Sequence, residues 1–333
     1  MALARKRLDS LTKPQGSLGM LEDLAVQLAG ITGNPLPRIQ EKWVVVMAGD
    51  HGVVEEGVSA YPAEVTAQMV LNFLADGAGV NVFARHTETR VRVVDVGVAT
   101  DLHLPGLWSR KVRRGTANLA QGPAMTPQEA EAALEVGIGV AADLADRGAD
   151  LIATGDMGIG NTTPSAAILA AFTGRAPEEV VGRGTGVDDM RLAAKVEAVR
   201  RGLRVNRPDA SDALDVLHKV GGLEIAGLAG VILGAALRRV PVVIDGFISG
   251  AAALVATRLV PAARPYIVPS HLSEEPGHRI LLEELGLEAP LRLHMRLGEG
   301  TGAILAFSLV EAACKALAQM ATFAEASVSE REA

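Results

Sequence analysis

Residues 151–164 read LIATGDMGIGNTTP, and the fold follows from this stretch. Its opening, Leu151–Thr154, is an apolar run without alternation, the pattern of a strand buried on both faces. Gly155, Gly158 and Gly160 then break the chain among small and polar residues. Thr162-Thr163-Pro164 has the composition of a helix start, because proline suits a first turn that needs no N–H. The same grammar of apolar run, glycine-bearing loop and helical stretch recurs along the chain. It appears in WVVVMAGDHG (Trp43–Gly52), VRVVDVG (Val91–Gly97), PVVIDGFISG (Pro241–Gly250), PYIVPSHLSEEPG (Pro265–Gly277) and LHMRLGEGTG (Leu293–Gly302). Six such units predict an α/β fold with a parallel sheet of about six strands and helices on both faces.

Working outward, the parallel sheet places function before any motif is named. Ligands of open α/β sheets bind beyond the carboxyl ends of the strands. The loops carrying Asp50, His51, Asp156, Asn161, Asp245, Ser270, His271 and Glu299 all follow their strands, so these residues are expected to face one cavity. The chain ends differ. Residues near 8–30 and 303–325 lack strand signals, and Leu18, Leu21, Leu24/Ala25 and Leu28 form a helical stripe with Ser17 as N-cap candidate. Two arrangements remain open for these ends: flanking helices of one domain, or a small helical appendage built from both termini.

Composition bounds the rest. A chain of 333 residues, 49% hydrophobic and 21% charged, can bury a large core as one domain or one domain plus an appendage. Its single cysteine, Cys314, excludes a disulfide framework and any multi-cysteine metal site. Acidic residues outnumber basic ones, 39 to 32, and only two Trp and two Tyr are present. A nucleic-acid binder needs a basic footprint and stacking rings, so no nucleic-acid partner is expected. No apolar region follows MALARKRLDSLTK, and the longest apolar run, Ile225–Leu237, is shorter than the ~20 residues that span a bilayer. No membrane partner and a cytoplasmic location are therefore expected.

Two loops carry the chemistry. In Gly155–Pro164, glycines permit close backbone approach, and the following helix offers N–H groups to an anion. The order G-x-x-G-x-G is neither a dinucleotide fingerprint nor a P-loop. A tight strand-to-helix turn capped by Thr is the ordinary structural alternative. The second loop, Leu297-Gly298-Glu299-Gly300-Thr301-Gly302, sets a carboxylate between glycines. A partly desolvated Glu there has a raised pKa and suits a general base near neutral pH; helix capping is its ordinary alternative. Serine-elbow and zincin motifs are absent. His51, His271, His278 and His294 lie in different units without ligand spacing, so no metal site is expected. Asp188-Asp189 lacks a preceding strand and reads as a solvated turn.

Taken together, KPQGSLGMLEDLAVQLAG, VVVMAGDHGVVEEGVSAYP, GDMGIGNTTPSAAI, LHKVGG, IDGFISGAAAL, PSHLSEEPGH and MRLGEGTGA resemble, in order and almost end to end, the nicotinate-nucleotide–dimethylbenzimidazole phosphoribosyltransferases. The resemblance implies a Rossmann-like large domain, residues 33–302, and a small helical domain from residues 1–32 and 303–333. It also implies a homodimer in which the neighbouring subunit's small domain helps close the active site. Glu299 falls on the family's catalytic base. Asp156 falls on an acidic loop position where some relatives carry Glu, so its reach is one methylene shorter. Lys195 falls on the phosphate-site lysine. SAYPAEVTAQ overlies the benzimidazole pocket, making Tyr61 and Gln68 base-binding candidates.

Around these anchors, Gly158, Gly160, Asn161, Thr162, Ser270 and Ser273 are candidates for the nucleotide's phosphate and ribose. Met157 and Leu297 are candidates to sandwich a flat base, with core packing as the alternative. The implied substrates are nicotinate mononucleotide and 5,6-dimethylbenzimidazole. The products are α-ribazole 5′-phosphate, with inversion at C1′, and nicotinate. The leaving pyridinium already carries positive charge, so no metal or other cofactor is expected. A transferase using another base and a non-catalytic nucleotide or benzimidazole sensor are the competing readings; a retained Glu299 disfavours the sensor.

Overall fold

The computed structural model describes residues 1–184 and 186–329. Positions 330–333, the end of the expected helical appendage, lie outside them. Six strands form one parallel sheet: β1 (Lys42–Gly49), β2 (Arg90–Gly97), β3 (Trp108–Ser109), β4 (Leu151–Met157), β5 (Val242–Ile244) and β6 (Ile267–Pro269). Their spatial order is β3-β2-β1-β4-β5-β6. The chain winds outward from β1 to β3, returns beside β1 as β4, and winds the other way. Loops leaving β1 and β4 therefore part, and a crevice opens between them.

Successive side chains of a strand point to opposite faces, and both faces are covered. From β1, Val45 and Met47 join a core with the helices Pro127–Asp146, Thr162–Thr173, Leu223–Leu237 and Phe247–Leu259. Val44, Val46 and Ala48 join a second core with Val65–Leu74, Gly79–His86 and Thr301–Gln319. The Gly- and Ala-rich run from Ile225 is an interior helix. A Cβ on Gly137 would overlap the Gly227 carbonyl, and one on Gly230 that of Leu134, so glycine lets two helix backbones touch.

The helix Thr301–Gln319 has the length and apolarity of a membrane span, yet more than half of it is buried within the protein. Ile304, Phe307 and Val310 lie on the sheet, while Ala313 and Leu317 pack with Ala4, Leu8, Ala25 and Ala29 of the N-terminal helices Ala2–Ser10 and Met20–Thr32 and with Leu11 between them. A bridge between Leu11 and Thr322 and the Arg7 guanidinium donating to the Leu317 carbonyl at 2.7 Å tie the ends further, while a buried ion pair, Lys13–Glu22 at 2.8 Å, holds the N-terminal segment to its own second helix.

Three local expectations are corrected. Leu293–Gly302 is not a strand; β3 is the sixth. Its His294 and Arg296 are exposed, and next to the sheet edge the chain forms an isolated bridge between Leu291 and His271 and a hydrogen bond from the Glu274 N–H to the Met295 carbonyl at 3.1 Å, not a ladder. Ser17 is not an N-cap: the helix begins at Met20 after Gly19, and Glu22 reaches back to accept the Leu18 N–H at 3.0 Å. Asp188 is more than a solvated turn residue, since it caps the helix Asp189–Asn206 by accepting the Arg191 N–H at 2.8 Å.

Candidate active site

A cavity of about 570 Å³ opens at the crevice between β1 and β4. One wall is the loop Gly158–Asn161 with the start of the helix Thr162–Thr173. No side chain caps that helix, because the amide of its N-cap residue, Asn161, turns away to donate to Asp156 Oδ2 at 2.9 Å. Thr162 Oγ1 instead accepts from Lys195 Nζ at 2.8 Å. The same ammonium donates to the Gly182 carbonyl at 2.8 Å. Burial, eased by the Glu275 carboxylate, lowers the Lys195 ammonium to about 8. The arrangement joins an uncapped helix N-terminus to a lysine, the elements of an anion site.

Glu299 faces this wall from a turn in which Gly298, Glu299 and Gly300 all have positive φ, +83°, +63° and +92°. Left-handed backbone is uncommon for a side-chain-bearing residue and costs free energy that surrounding contacts must offset. Here the turn lies directly on β4: a Cβ on Gly155 would stand 2.6 Å from the Glu299 carbonyl carbon. Asp245, after β5, accepts the Gly300 and Ala303 N–H groups at 3.2 and 2.9 Å and so fixes the turn to the following helix. Glu299 Oε2 accepts the Val80 N–H at 3.0 Å, at the start of the helix Gly79–His86. Burial raises its pKa against this hydrogen bond, and the Asp245 charge adds to the rise.

The floor is acidic. Asp156 is pushed up to about 8 by burial and by Asp245, Glu224 and Glu299, against the Asn161 hydrogen bond. Asp245 is raised mainly by burial. Such a floor favours positive charge in the cavity above it.

Of the residues singled out from sequence, the cavity gathers Tyr61, Asp156, Met157, Gly158, Gly160, Asn161, Thr162, Lys195, Leu297 and Glu299. Gln68 is exposed on the helix Val65–Leu74, one residue from Met69, which does line the cavity. Ser270 and Ser273 are buried outside the lining; Ser270 donates to the Asp245 carbonyl at 3.1 Å. Asp50, His51, Asp245 and His271 likewise stand behind the lining and not on it. The lining adds Val58, Ser59, Val65, Met69, Ile159, Gly184 and Arg296. Arg296 sits in the MRLGEG stretch, where the signal was present; the apolar residues carried no chemical signal.

A sequence profile for the family described as Phosphoribosyltransferase matches residues 1–328. A protein of Desulforamulus reducens named nicotinate-nucleotide–dimethylbenzimidazole phosphoribosyltransferase is 60% identical over 328 residues, covering 98% of this chain and 93% of its own. A Chloroflexus aggregans protein of the same name is 60% identical over 330 residues, with 99% and 94% covered. The crystal structure of CobT from Thermus thermophilus superposes with a TM-score of 0.96 at 52% identity, over 99% of both chains. Whole-length agreement of sequence and fold places this chain in the nicotinate-nucleotide–dimethylbenzimidazole phosphoribosyltransferase family.

Proposed function

We propose that the protein transfers the 5-phosphoribosyl group of nicotinate mononucleotide to 5,6-dimethylbenzimidazole, with inversion at C1′. One observation carries the reading: a buried carboxylate, Glu299, shares a cavity with a lysine-backed helix N-terminus. The phosphate binds at Lys195 and the Gly158–Thr162 loop. The flat base lies among Met69, Met157 and Leu297, with its unprotonated ring nitrogen toward C1′ and the N–H of its other ring nitrogen toward Glu299. As the unprotonated nitrogen attacks, the C1′–pyridinium bond breaks. The bonding pair goes to the pyridinium nitrogen, and nicotinate leaves with a neutral ring nitrogen. Glu299 takes the proton from the attacking base, whose product ring is then neutral. Positive charge spread over the ribosyl group in the transition state faces the acidic floor.

Asp156 orients the loop through Asn161. In this reading the terminal helices form the small domain, the enzyme is a cytoplasmic homodimer, and the partner's small domain closes the cavity. The test is turnover of the two substrates with the product's anomeric configuration read by NMR. Formation of the α-anomer together with nicotinate supports the reading. Binding without turnover indicates a sensor, and a β-anomer overturns the inverting mechanism.

A further inference from the structure

A buried pair that the mechanism leaves unused lies beneath the nucleotide loop. His51 follows β1 and is 4% exposed; Glu224, in the first turn of the helix Leu223–Leu237, is fully buried. His51 Nε2 and Glu224 Oε1 are 2.7 Å apart. The imidazole is held between two glycines. A Cβ on Gly158 would stand 3.1 Å from His51 Nε2, and one on Gly222 2.5 Å from its Cε1. His51 Nδ1 and Glu224 Oε2 have no hydrogen-bond partner among the described residues.

An ion pair so enclosed is weak stabilisation, because desolvation offsets most of the attraction. Its position under Gly158 suggests another use. The ionisable groups that act on His51 include Glu224, Asp50 from its own loop and Asp156 from β4, each of them acidic. Burial disfavours its protonated form, yet these carboxylates prevail and raise the imidazole above its ordinary value. A floor that favours a cationic transition state also repels the phosphate of the incoming donor. A cation fixed below the loop reduces that repulsion without occupying space the ligand needs.

We propose that His51, clamped by Glu224, is a positioning residue for the nucleotide donor: its ring supports Gly158, and its charge balances the carboxylates under the loop. This rests on the reading of Gly158–Thr162 as the nucleotide loop. Two variants separate the roles. His51→Gln keeps a side-chain donor toward Glu224 and loses the charge; Glu224→Gln keeps the shape and removes the anion.

Nitrogen-15 histidine spectra report the charge directly. At pH 6.5, its ordinary pKa, His51 is expected to be more than half imidazolium in the wild-type protein and less than half in Glu224→Gln. By calorimetry, His51→Gln should weaken nicotinate mononucleotide roughly 10- to 100-fold and leave dimethylbenzimidazole within about twofold. KM for the nucleotide should rise much more than kcat falls. A neutral His51 in the wild type, an unchanged nucleotide affinity, or equal loss of both ligands would overturn the proposal. Should His51→Gln fail to fold, the histidine spectrum of the wild-type protein still decides the proposal, because a neutral His51 there overturns it. Lys195→Ala tests the underlying reading separately: wild-type nucleotide binding there removes the loop's assigned role, whereas a neutral wild-type His51 removes only the present proposal.

Discussion

Glu299, just before the helix Thr301–Gln319, and Asp156, at the end of β4, are both buried carboxyls, and their surroundings separate their tasks. Glu299 is oriented by the Val80 N–H and its side chain lines the cavity, as the proton acceptor of the proposed reaction must. Glu299→Gln keeps the side-chain size and cannot accept that proton. Its kcat should fall ~10²–10⁴-fold with both ligands still bound, as steady-state kinetics and calorimetry will show. Asp156 is bonded sideways to Asn161, and its carboxyl holds a proton more tightly in the folded chain than in the unfolded one. Its contribution to stability is therefore fullest below its ordinary value of 3.8 and is lost as pH rises through about 8. Asp156→Asn removes that penalty while keeping an oxygen for Asn161. Thermal melts should show the variant more stable than wild type at pH about 8, with the difference vanishing near pH ~4. A variant less stable at every pH would contradict the burial argument.

At the scale of elements, the turn that carries Glu299 depends on glycine outside it as much as within it. Gly155 sits in mid-strand, where a side chain would otherwise point toward the Glu299 backbone. Gly155→Ala should lift the turn off β4 and misplace the carboxylate. A displacement near 1 Å costs ~10²-fold in rate, so kcat should drop by about that factor while the nucleotide, held on the opposite wall, binds normally. Substrate titrations followed by single-turnover rates will distinguish this from a general loss of folding. The strands β1, β2, β4, β5 and β6 were legible because unalternating β-branched runs leave few alternatives. β3 was not: two residues, Trp108 and Ser109, pair with β2 only because that edge is free. Leu293–Gly302 misleads for the converse reason. Its apolar residues alternate with Arg and His as in a strand, but its pairing with the chain after β6 stops at an isolated bridge and one backbone hydrogen bond and never becomes a ladder.

At the scale of the whole molecule, the two termini are joined by packing and by the Arg7 guanidinium on the Leu317 carbonyl, and a buried ion pair fixes the N-terminal segment itself. The Lys13–Glu22 pair is nearly sealed from solvent, with side chains 5% and 2% exposed. Glu22→Ala would leave a buried ammonium without its partner. The expected loss is ~3–5 kcal/mol of unfolding free energy, measured by denaturant titration, because an uncompensated buried charge is far costlier than the pair was favourable. Retention of wild-type stability would mean that Lys13 reaches water by a small movement of the terminal helices. The ion pair itself could not be seen in the sequence. Lys13 and Glu22 look like ordinary charged residues there, and only the packing of Leu8, Leu11 and Ala25 around them removes the solvent.

The sequence by itself determined the α/β class, the parallel sheet, the family, and the two glycine-bearing loops, one leading into a helix and one carrying a carboxylate. Each rests on local order: unalternating apolar runs, glycine spacing and a carboxylate between glycines, all of which survive without knowledge of distant contacts. Tertiary structure decided which strand-end residues reach the cavity and which stand behind it. Asp245 and His51 were candidates for the lining, yet Asp245 caps a helix start and His51 is clamped by Glu224 from a helix far along the chain. It also decided the protonation balance of the floor, since burial and the mutual repulsion of carboxylates from β4, β5 and two helix starts arise only when the chain is folded. Side chains far apart in sequence acquire a shared electrostatic environment through the sheet's topology, and no local pattern encodes it.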